Sequence, residues 1–257
     1  MTISRRGVLC CLPLALAARA RADTVPVQIY AAMTFRPVLE RVLTAYRDAG
    51  GAAVGVYAPT PVLVRQLAAG APADILLTAD PEWMDAAVRQ KLVQPQTRFD
   101  LIADDLVLAG PRGSVVVGPI TPVFSLEGFL EGGRLAICDP DTHPAGRFAK
   151  QSLQSLGYWN TIQMQIAIAE SAPAAVVLVD NGEARAAVCF STDLRGDARA
   201  LLVGTFPSFS HAPIVYPVAL AREPPSPKAA EALAFLQGPN ARHIFSGFGY
   251  QLPVPGG

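Results

Sequence analysis

A threonine stands between two prolines in Pro59-Thr60-Pro61, where an apolar, strand-like run gives way to a helical one. Proline fixes φ near the helical value and is favoured in the first turn of a helix. The spacing therefore predicts a helix start with Thr60 as N-cap and Pro61 at the first helical position. Three other junctions share this pattern. Thr34 follows an apolar run, Pro144-Ala145-Gly146 opens one helical stretch and Ser171-Ala172-Pro173 opens another. A helix N-terminus carries unpaired N–H donors and partial positive charge, so it suits an anion. Ordinary capping accounts for any one of these turns. Four of them in one chain point to a cradle of hydroxyl and amide donors. The cations in these turns are Arg36 and Arg147, both read as facing outward from their helices. Neutral donors suit a small oxyanion that has to be released again.

Catalysis is poorly supported. The chain has no Gly-x-Ser-x-Gly, no His-Glu-x-x-His and no Cys/His cluster at metal-ligand spacing. His143, His211 and His243 are scattered, and only His143 falls near the presumed cleft. Asp139 and Asp141 could pass for a carboxylate pair. A turn after a strand calls for the same residues. The expectation is a binding protein with no cofactor and no metal ligated directly by side chains.

These junctions need elements to hold them. Apolar runs alternate with helical patterns along most of the 257 residues, from "VPVQIYAA" and "FRPVLERVLTAYRDAG" to "SPKAAEALAFLQG". Such alternation predicts parallel sheets covered by helices, with ligand at the carboxyl ends of the strands. Asp80 is the expected N-cap of the helix that begins at Pro81. The rhythm runs twice, which predicts two α/β lobes. "DDLVLAGP" and "IVYPVALA" are the strands expected to cross between them. Lobe one is assigned to residues 23–108 and 216–257, and lobe two to residues 109–215. Formal net charge is +0 and no basic stripe is present, which argues against nucleic acid as a partner. Residues 1–22 combine a basic start, a short apolar run and Ala20-Arg21-Ala22, the pattern of an export signal. Arg5-Arg6 after Ser4 resembles a twin-arginine signal. Cleavage there removes Cys10 and Cys11. Cys138 and Cys189 remain, either as a disulfide or as two buried thiols.

Several longer stretches carry a resemblance. "GAPADILLTADPEWMDAAV", "GGRLAICDPDTHPAGRFAKQSLQSLG", "GTFPSFSHAPIVYPVAL" and "FLQGPNARHIFSGFGY" are similar to the ModA family, the periplasmic molybdate-binding proteins of bacterial ABC importers. The similarity covers essentially the whole chain after the signal. It implies a type II periplasmic-binding fold, in which two α/β lobes on a hinge close over molybdate or tungstate. It also implies a monomer that hands the anion to a membrane permease driven by an ATPase. The family's binding positions fall on Thr34, Thr60, Ala145, Ala172 and Phe190. Two are hydroxyl positions, two are backbone amides, and the last is a tyrosine hydroxyl in the family. Phe190 has no hydroxyl, and Pro59 and Pro61 remove local N–H donors. The neighbouring hydroxyls that could replace the lost one are Ser191 and Thr192. On the same fold, Cys138 and Cys189 would end adjacent strands of lobe two, where a bridge is conceivable. The alternatives are a carrier for another small oxyanion or organic anion, and an extracytoplasmic sensor or adhesin module that contacts a partner protein.

Overall fold

The computed structural model describes residues 25–115, 118–141, 143–195, 199–221 and 226–253, so residues 1–22, expected to be an export signal, lie outside the described residues. Strand β1 (Val27–Ala32) passes through a 3-10 turn (Met33–Phe35) into α1 (Arg36–Asp48). β2 (Ala53–Ala58) leads into α2 (Thr60–Ala68), and β3 (Ile75–Leu77) into α3 (Pro81–Arg89). β4 (Phe99–Ala103) and β5 (Leu106–Gly110) are separated by two residues. Then come β6 (Gly118–Pro119), α4 (Leu126–Leu130), β7 (Leu135–Cys138), α5 (Pro144–Ser155) and α6 (Trp159–Ile162). β8 (Ile166–Ala169), α7 (Ala172–Asp180), β9 (Ala186–Phe190) and β10 (Leu201–Thr205) follow. β11 (Val215–Leu220), α8 (Pro227–Gln237) and α9 (Pro239–Gly247) close the chain.

Among the described residues the strands form two sheets, in the orders β2-β1-β3-β11-β4 and β6-β10-β5-β9-β7-β8. β1 runs parallel to β2 and β3, and β7 runs parallel to β8 and β9. The sequence suggested parallel sheets throughout, but β5 and β11 run antiparallel to their neighbours. Register gives the reason. β5 starts at the carboxyl end of β9, with Leu106 opposite Phe190, and β11 starts at the carboxyl end of β4, with Val215 opposite Ala103. A strand that enters its sheet from the other lobe arrives at that end, and so runs back against the parallel set. β5 pairs with β9 from Leu106 to Ala109 without a break, so the strand that spans the expected division at 108/109 lies in one sheet.

The helices cover the sheets through regular apolar faces. α1 buries Val38, Leu39, Val42, Leu43 and Tyr46 at helical spacing. Each such side chain contributes on the order of 1.5–3 kcal/mol of hydrophobic stabilisation. Asp80 caps α3 as expected, its side chain accepting from Trp83 N–H at 2.8 Å. Cys138 ends β7 and Cys189 lies one residue before the end of the neighbouring β9; both are buried free thiols. No helix among the described residues is long and apolar enough to cross a membrane.

Candidate functional site

The expected positions all lie at carboxyl ends of strands. Thr34 follows β1 and Thr60 follows β2, which are neighbours in the five-stranded sheet. Ala145 follows β7, Ala172 follows β8, and Phe190 ends β9; these strands are adjacent in the six-stranded sheet. Each sheet thus presents its set of positions on one edge.

The local chemistry differs in detail from the sequence reading. Thr60 is not the N-cap. Pro59 takes the cap position at φ −55° and ψ 138°, and Thr60 is the first helical residue. The Pro59 carbonyl accepts from Val62 N–H at 2.8 Å and Leu63 N–H at 3.2 Å, so the turn closes without a side-chain cap. The threonine is buried, and its hydroxyl accepts from Ala79 N–H at 3.3 Å. Thr34 lies in the 3-10 turn and is exposed.

In the second lobe, Ser171 caps α7 by accepting from Ala174 N–H at 3.2 Å, which leaves Ala172 at the first helical position. His143 caps α5, its Nδ1 accepting from Ala145 N–H at 3.2 Å. Burial first, and the Arg147 guanidinium second, lower the pKa of this imidazole, while Asp139 opposes them. A neutral ring with Nδ1 as acceptor is consistent with that setting. An anion approaching Ala145 N–H therefore meets a site already held by an exchangeable neutral group. Gly146 lets this turn sit close to β7. A Cβ there would lie 2.4 Å from the Asp139 carbonyl oxygen and 2.5 Å from that of Cys138.

Phe190 offers no donor to a ligand. Its amide donates to Asp193 Oδ2 at 2.9 Å, and its ring packs edge-on to Phe148 at 6.4 Å. Neither proposed substitute is free. Ser191 Oγ donates to Asp104 Oδ1 at 2.7 Å, and Thr192 Oγ1 donates to Asp104 Oδ2 at 2.6 Å. Asp105 N–H adds 2.9 Å to Asp104 Oδ1. These bonds tie the entry to β5 and the turn after β9 to one buried carboxylate. Burial raises the Asp104 pKa and the donors oppose the rise. Asp193 is pushed up to about 6, by burial first and by Asp104 in addition, against its bond from Phe190. Only the Asp104-Asp105 pair that opens "DDLVLAGP" marks this knot in the sequence.

The two outward-facing arginines divide. Arg36 lies over the Tyr57 ring at 5.8 Å. Arg147, in α5, reaches Glu82 in the first turn of α3 at 3.6 Å, an ion pair from one lobe to the other. Among the described residues no group of His, Cys, Asp and Glu is placed to hold a metal ion.

Residues 27–251 match the family model for bacterial extracellular solute-binding proteins. The chain belongs to that family. Within it, the chain is 34% identical to the molybdate-binding protein ModA of Escherichia coli, over 94% of this chain and 95% of that one. It is 28% identical to the ModA of Haemophilus influenzae over 89% and 91%. A substrate-binding domain of a putative molybdenum ABC transporter from Clostridium difficile superposes with a TM-score of 0.81 at 23% identity, covering 90% of this chain and all of that one. The fold is the type II periplasmic-binding fold, and the family's members are transporter substrate-binding proteins rather than enzymes.

Proposed function

We propose that this protein captures molybdate outside the cytoplasm, with tungstate as a size-matched analogue, and delivers it to an ABC permease and its ATPase. The observation that supports the reading is that Thr34 and Thr60 follow adjacent strands at the carboxyl edge of one sheet, as Ala145 and Ala172 do in the other. All four offer hydroxyl or first-turn amide donors without a formal charge. Relatives at 34% and 28% identity carry the name molybdate-binding protein.

The physical logic is capture by closure. The lobes we assign meet at the Asp104 knot, with residues 23–108 and 216–257 in one and residues 109–215 in the other. The strand pairing favours moving the first division to about Asp104-Asp105. An anion that contacts both edges favours the closed arrangement by its greater affinity for it. The Arg147–Glu82 pair adds a weak attraction at the same opening. Desolvated oxyanion oxygens bind N–H and O–H donors strongly. Cavity size then sorts the larger tetrahedral anions from sulfate. We further propose the twin-arginine route for residues 1–22 and a monomer in solution.

Calorimetric titration of the protein from Asp23 with molybdate, tungstate and sulfate tests this. Tight binding of the first two with no heat from sulfate is expected. Silence with all three, or a preference for sulfate, would overturn the reading.

A further inference from the structure

The helix starts assigned to the anion are capped in different ways. At α2, Pro59 takes the cap position and offers no side-chain bond. At α7, Ser171 Oγ reaches past Ala172 and accepts from Ala174 N–H at 3.2 Å. At α5 the cap lies on the assigned donor itself: His143 Nδ1 accepts from Ala145 N–H at 3.2 Å. Histidine is outside the set of residues that favour a cap position. The turn has other supports besides the ring. His143 N–H donates to the Asp139 carbonyl at 2.9 Å, and Arg147 N–H donates to the His143 carbonyl at 3.0 Å. Gly146 holds the same turn close against the Asp139 and Cys138 carbonyls. The backbone around the Ala145 amide is thus fixed by main-chain contacts, while the half-buried imidazole is the exchangeable partner of that amide.

Resting on the functional reading above, we infer that His143 is a built-in competitor for the anion: its Nδ1 occupies the Ala145 amide in the empty protein, and an oxyanion binds there by displacing the ring. A hydrogen bond to a charged oxygen is roughly twice as strong as one to a neutral acceptor, so a dianion can take the amide from the imidazole. The exchange lowers the net affinity and eases release. The charges that act on the ring are Arg147 on α5 and Asp139 after β7, and Arg147 is itself paired with Glu82 of α3 at 3.6 Å. Burial first and Arg147 second favour the neutral ring, against Asp139, and a neutral ring is what can accept at Nδ1.

The test is calorimetric titration with molybdate at about pH 8, where the imidazole is neutral, of the wild-type protein, His143→Ala and His143→Asn. His143→Ala frees the amide, and its affinity should rise by about 2- to 10-fold, the worth of one neutral hydrogen bond. Loss of the cap should lower its ligand-free Tm by no more than about 4 °C. His143→Asn puts a neutral acceptor back at the cap and should return the affinity to the wild-type level. A purely structural role for His143 would give no gain in His143→Ala. Unchanged or weaker binding by that variant overturns the inference, and so does a gain that His143→Asn shares, since the freed amide is then not its source. Should His143→Ala not fold, nitrogen NMR of the wild-type protein decides: the His143 Nδ1 resonance must move on saturation with molybdate, and a resonance that stays in place overturns the inference. A wild-type protein silent toward molybdate and tungstate instead overturns the functional reading, and this inference falls with it.

Discussion

Thr60 illustrates how a residue can stand at the expected strand edge and still take a different local role. Its hydroxyl stands out in the sequence because prolines on both sides leave it little conformational freedom. Its place in the helix was not, because a cap needs only non-helical backbone and a carbonyl, and Pro59 supplies both. Thr60→Ala should weaken molybdate binding by about 10- to 150-fold, the worth of one donor to a charged group. The ligand-free stability should fall by only about 1 kcal/mol, since Ala79 N–H loses one neutral partner. Titration alongside thermal unfolding separates the two effects, and Thr60→Ser should retain binding. Asp193 makes a second, pH-dependent case. Its folded pKa of about 6 lies above the ordinary carboxylate value. The folded state therefore binds the proton more tightly than the unfolded chain does. The associated stability is present below about pH 4 and is lost as pH rises through about 6. Asp193→Asn keeps an acceptor for Phe190 N–H and removes the charge. It should raise stability by up to about 2 kcal/mol at pH 8 and far less at pH 4.5. Equal shifts at both pH values would contradict the assignment of burial as the cause.

At the scale of elements, strand-helix alternation reads directly from the periodicity, and so do the helix starts. The direction of β5 and β11 does not, because an apolar run carries no sign of which end of a sheet it enters. That information lies in the two-residue connection between β4 and β5 and becomes visible only with register. The Asp104 knot was hidden for a similar reason: its donors are 87 and 88 residues away in sequence. Asp104→Ala leaves Ser191 and Thr192 without their buried acceptor. It should cost about 3 kcal/mol or more, as the loss of a buried network does. Denaturant unfolding measures this directly. The Pro144-Ala145-Gly146 turn gives a sharper prediction. Gly146→Ala places a methyl group against two backbone carbonyls that cannot swing away, so the start of α5 must move off β7. Stability should fall by about 1–3 kcal/mol. Molybdate affinity should fall with it, because the amide of Ala145 moves with the turn.

For the molecule as a whole, the two-lobe architecture was legible because the βα rhythm restarts. The contact that spans the opening was not, since Arg147 and Glu82 are each unremarkable surface charges in sequence. Removing the pair with Glu82→Gln should change unfolding stability by no more than about 1 kcal/mol. It should instead speed molybdate release in stopped-flow displacement, because the pair acts only when the lobes approach. The cysteines carry a practical consequence for watching that approach. Cys138 and Cys189 are both buried, burial pushes the Cys138 thiol up to about 12, and Cys189 is raised by the same cause. Thiols so seldom ionised are slow toward alkylating dyes. New surface cysteines, one on each lobe, can therefore be labelled selectively in the folded protein with the native pair left in place, and the distance between the dyes then reports closure molecule by molecule.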